Sequence, residues 1–93
     1  MQDEKCLLEF HILSPERKTL LDIDCEVNQD TTILDFLEII FANYNLVPEG
    51  IKALFAYIPP QEDPVELHSE QCECTFQELS FCNGTVLRIV YTE

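Results

Sequence analysis

The chain has 93 residues, 46% of them hydrophobic, and its 18 acidic side chains against five basic ones give a formal net charge of −13 at pH 7. That length suits a single domain spanning 1–93, able to bury roughly 60–65% of its unfolded surface, and the apolar content argues against disorder. The charge repels nucleic-acid phosphates and anionic lipid, which excludes nucleic acid and membrane surfaces as partners and favours a basic protein surface.

From Lys5 to Leu13 the residues alternate, with Leu8, Phe10 and Ile12 on one side and Leu7, Glu9, His11 and Leu13 on the other. This is the pattern of a strand with one buried face. Ser14-Pro15-Glu16-Arg17-Lys18 reads as a turn, after which Leu21, Ile23, Cys25 and Val27 alternate with Asp22, Asp24 and Glu26 in a second strand. Asp30 or Thr31 is the expected cap of a helix over TILDFLEIIFANYNL, ended by Asn45 and Pro48. Its stripe of Ile33, Phe36, Leu37, Ile40 and Tyr44 is widened by Leu34, Ile39 and Phe41 beyond what one sheet face needs. That surplus predicts a second contact at Leu34 and Phe41: the 59–74 segment folded back, a partner, or a weak dimer through the helix. Ile51 to Ile58 is a third strand, Val65-Glu66-Leu67 a short one in an acid-rich stretch, and Val86 to Tyr91 the last. Thr75 to Phe81 reads as a turn or 3₁₀ segment, and Asn83-Gly84 as a tight turn into the final strand. The expected core is Phe10, Ile12, Ile23, Ile33, Phe36, Ile40, Leu87 and Ile89.

Five cysteines, an odd number at irregular spacing, argue for a reducing compartment, cytoplasmic or nuclear. No apolar run reaches the roughly 20 residues of a membrane span, the first residues do not read as a signal peptide, and the chain is expected to be soluble. His68, Cys72, Cys74 and Cys82 offer a zinc-type set, but the Cys-x-Cys pair has a tighter bite than zinc sites use. With two glycines there is no phosphate loop, and no histidine is tied to a thiol as a nucleophile requires. Neither metal, cofactor nor enzymatic activity is expected.

A hairpin, a helix, and a last strand returning to the middle of one sheet make an α+β fold. The order and the residues of Thr75–Val90 resemble ubiquitin and the β-grasp domains related to it. Thr32-Ile33 resembles the helix start of that family, Ile40 a later core position, and Val47-Pro48 the passage into strand three. The resemblance implies a mixed sheet of four or five strands packed on one helix, with departures in a longer first turn and an insertion between Ile58 and Cys74. The chain runs to Val90-Tyr91-Thr92-Glu93 in place of a Gly-Gly tail and has only Lys5, Lys18 and Lys52 as lysines. It therefore resembles a docking domain, not a conjugated modifier.

The same resemblance implies a partner-binding patch on the sheet's open face, with Arg88, Val90 and Phe55 (or Leu54 if the register slips by one) at its centre and Leu13 near the first turn. Asp22, Asp24 and Glu26 would guard a sheet edge against aggregation and steer a basic partner. The alternatives are an acidic mimic of nucleic acid, or a small zinc-binding domain. Binding to small GTPases or lipid head groups would need a basic face that five bases cannot build.

Overall fold

The computed structural model of the chain describes residues 5–92. Strands β1 (Lys5–Leu13) and β2 (Thr19–Asn28) form a hairpin, helix α1 (Ile33–Tyr44) follows, and β3 (Ile51–Tyr57) returns to the sheet. The insertion contributes the two-residue β4 (Val65–Glu66) and a single helical turn, α2 (Ser69–Cys72), before β5 (Thr85–Tyr91) closes the fold. The sheet order is β2-β1-β5-β3-β4. β1 and β5 are parallel and the other pairs antiparallel. This is a mixed five-stranded α+β sheet with one long helix.

The hairpin turn is built by Pro15 at the second turn position, with Arg17 N–H donating to Ser14 O and Arg17 at φ 67°. A left-handed residue after a type I turn lets the strands keep their twist. At the other end of β1, Thr85 N–H donates to Cys82 O and Gly84 sits at φ 92°, the positive φ that a residue without Cβ adopts at low cost. Asn83 Oδ1 accepts from Leu7 N–H at 2.8 Å and Gly84 N–H donates to Leu7 O, so this turn also fastens β1.

Helix α1 begins one residue later than the cap residues predict. Thr32 is the cap, its hydroxyl accepting from Asp35 N–H at 3.1 Å. Asp30 and Thr31 are instead consumed in a turn organised by Asn28, whose side-chain and backbone oxygens accept from their N–H groups. Asn45, left-handed at φ 57°, ends the helix. Phe36 anchors α1 by edge-to-face contacts with Phe10 of β1 (5.3 Å) and Phe76 (5.6 Å), and Phe76 in turn meets Phe81. These rings join helix, sheet and the segment after the insertion into one core, each aromatic pair adding about 0.5–1.5 kcal/mol beyond burial.

Two expectations about packing are corrected. Ile23 is half-buried because β2 is an edge strand; of its inward residues only Val27 is fully enclosed. The paired surplus on the helix splits: Phe41 is 2% exposed and packs edge-on against Tyr91 of β5, while Leu34 is 46% exposed. The insertion supplies Leu67 to the core, 6% exposed, a residue its polar surroundings conceal in the sequence.

Candidate docking face of the sheet

Strict alternation along β3 and β5 sends Leu54, Ala56, Leu87 and Ile89 to the helix side and leaves Phe55, Tyr57, Arg88 and Val90 half-buried on the open side. The register of strand three is thereby fixed: Phe55 is on the open face and Leu54 in the core. Across the five strands, Asp22, His11, Arg88, Phe55 and Glu66 stand in one row. In the adjoining rows Leu13 pairs with Val90 and Glu9 with Val86.

Leu13, Phe55, Arg88 and Val90 line one groove of about 370 Å³ between the hairpin turn and the insertion. Pro15 and Pro64 wall it, and Arg17 and Tyr57 join the lining. The Arg88 guanidinium carbon lies 5.1 Å from the centre of the Tyr57 ring, a cation–π contact of about 0.5–2 kcal/mol depending on desolvation. Arg88 Nε is buried and has no hydrogen-bond partner among the described residues. A buried donor left unpaired costs about 1–3 kcal/mol. Tyr57, two residues from Phe55, follows from period two; Arg17, Pro15 and Pro64 come from loops and carry no periodic signal.

The edge beside this groove has the opposite sign. Asp22, Asp24 and Glu26 all project from β2 and are exposed. Asp24 faces Glu9 across the ladder, a like-charge pairing that destabilises a sheet. His11 Nε2 lies 3.3 Å from Asp22 Oδ1 and 3.6 Å from Glu9 Oε2, and Lys5 Nζ is 3.8 Å from Glu26 Oε1. The Lys5–Glu26 pair, exposed on both sides, contributes at most about 1 kcal/mol.

A second groove, about 470 Å³, lies on the helix side between Leu34 and Leu37 of α1, Leu54 of β3, and Leu67. His68 and Cys72 share its lining and are joined through the backbone, Cys72 N–H donating to His68 O, but among the described residues no hydrogen bond joins their side chains. Burial, reinforced by Cys74, pushes the Cys72 thiol up, away from the thiolate a nucleophile needs. Burial likewise raises Cys6 and Cys25. The zinc-type residues are dispersed: Cys74 Sγ lies 3.8 Å from Glu70 O and Cys82 Sγ 3.6 Å from Pro59 O. Among the described residues no three ligand side chains gather as a metal site, all five cysteines are free, and no helix is long and apolar enough to cross a membrane.

No protein-family model and no curated protein matches the chain. Solved structures do. The C-terminal ubiquitin-like domain of mouse tubulin-specific chaperone e is similar with a TM-score of 0.66 at 17% identity, over 99% of this chain and 93% of that one. A ubiquitin-like domain from tubulin-binding cofactor B gives 0.66 at 9% identity, over 96% and 93%. The corresponding domain of yeast Ddi1 gives 0.53 at 16% identity, over 94% and 91%. What is shared at such identities is the fold, and the fold of this chain is the ubiquitin-like β-grasp.

Proposed function

We propose that the chain is a non-enzymatic docking module that binds a protein partner through the open face of its sheet. One observation carries the reading: Leu13, Phe55, Arg88 and Val90, drawn from three strands, line a single groove on the face that α1 does not cover. Apolar anchors in a desolvated centre supply most interface energy, and charges at the rim set mainly the association rate. Asp22, Asp24 and Glu26 are the steering rim for a basic patch beside the partner's docking segment. The odd number and irregular spacing of its five cysteines favour a reducing compartment, cytoplasm or nucleus.

The test is quantitative retention of protein partners by the wild-type chain, Val90→Ala and Leu34→Ala, each confirmed folded. Purified tubulin is offered first because two of the similar domains come from proteins named for it. A partner of the open face is lost with Val90→Ala and kept with Leu34→Ala; the reverse transfers the function to the helix-side groove. Binding abolished by Asp22→Lys with Asp24→Lys, yet indifferent to Val90→Ala, would favour the acidic mimic.

A further inference from the structure

Resting on that reading of the open face, we propose that its groove takes an acidic side chain: a partner peptide with an aspartate or glutamate beside an apolar residue. The carboxylate meets Arg88 and Arg17, and the apolar side chain sits against Leu13, Phe55 and Val90. Five bases are set against 18 acids in the whole chain, yet two of those five line this groove and, among the described residues, no acid does. The centre of the open face is thus locally cationic in a strongly anionic molecule.

The carboxylates nearest in the register do not neutralise it. Asp22 and Glu9 are turned to His11 at 3.3 and 3.6 Å. Glu66 faces Phe55 at the far edge, and neither arginine forms an ion pair among the described residues. Arg88 is held over Tyr57 with its buried Nε lacking an acceptor. A guanidinium edge matches a carboxylate with two parallel N–H···O bonds, so an entering acid supplies that acceptor once the guanidinium turns on the Tyr57 ring. Lysine would provide a point charge without the fork.

Bulk charge makes the test informative, because attraction to a chain of net charge −13 would select lysine- and arginine-rich peptides. A random library of short linear peptides is selected on the full chain, and enriched peptides are titrated against wild type, Arg88→Met, Arg88→Lys and Val90→Ala. The expected winners carry Asp or Glu next to an apolar residue. Replacing that acid by its amide, or Arg88 by Met, should weaken binding about tenfold, with Arg88→Lys recovering part of the loss. Thermal melts of the Arg88 variants establish that they are folded, and the amide peptides test the same contact on the unaltered chain. Basic or uncharged winners, no winners, or indifference to the amide replacement overturn the proposal. Inorganic phosphate that displaces the peptides at equal concentration also overturns it, since the groove would then be a general anion site. Winners without an acid that lose affinity on Val90→Ala leave the docking face standing and remove the carboxylate. Winners indifferent to both Val90→Ala and Phe55→Ala remove the docking face as well.

Discussion

Along β5, Thr85, Leu87, Ile89 and Tyr91 are buried on the helix side, while Val86, Arg88 and Val90 are half-buried on the open side. β1 repeats the contrast, with Cys6, Leu8, Phe10 and Ile12 enclosed and Glu9 and His11 among charged neighbours. The same backbone therefore builds a surface selected for packing and a surface that packing leaves unfinished. On the helix side each ring has a neighbouring ring or aliphatic chain. On the open side a buried guanidinium nitrogen has no acceptor among the described residues, and the apolar residues are grouped around a groove. Substitutions on the two faces should accordingly separate stability from binding.

The largest effect expected is on the helix side. Phe36→Ala removes the ring between Phe10 and Phe76 and should cost about 3–5 kcal/mol, read from urea unfolding. A loss below about 1 kcal/mol would mean that the two faces are not distinguished by packing.

On the open side, Val90→Ala should weaken the partner by at least about 1 kcal/mol, chiefly through faster dissociation, with a stability cost well below that of Phe36→Ala. Surface-based kinetics beside an unfolding curve measure both. Smaller still is the effect of the edge. Asp22→Lys with Asp24→Lys should slow association and flatten its dependence on salt, leaving dissociation almost unchanged.

The smallest effect belongs to pH. Burial raises the thiols of Cys6, Cys25 and Cys72 above their ordinary value of 9.0, so the fold favours the neutral form. Their contribution is complete below the unfolded thiol value and is lost as pH climbs through the folded values. Urea midpoints should decline from about pH 9 upward, and less steeply in Cys25→Ala.

The helix side was legible in the sequence because burial imposes a period. Leu8, Phe10 and Ile12 alternate, and Ile33, Phe36 and Ile40 recur at helical spacing, so the strands, the helix and the ubiquitin-like order could all be read. What escaped was set by tertiary contact. Leu67 is enclosed within a polar insertion, Ile23 is half-open because its strand is an edge, and Phe41 finds Tyr91 while Leu34 seven residues earlier finds solvent. The single turn α2, held by His68 N–H donating to Gln71 Oε1, is too short to show a period. On the open side, Phe55, Arg88 and Val90 could be named from the resemblance. Arg17 could not, because its place in the groove depends on a turn and a left-handed backbone.

The most direct measurement replaces Phe55, and in a second variant Leu34, by a photo-reactive phenylalanine analogue, each with and without Val90→Ala, in the folded chain. Illumination with the partner should give a saturable crosslink from position 55 that Val90→Ala suppresses, and little from position 34. Efficient crosslinking from position 34 with none from 55 would contradict the account, moving the docking surface to the other side of the sheet.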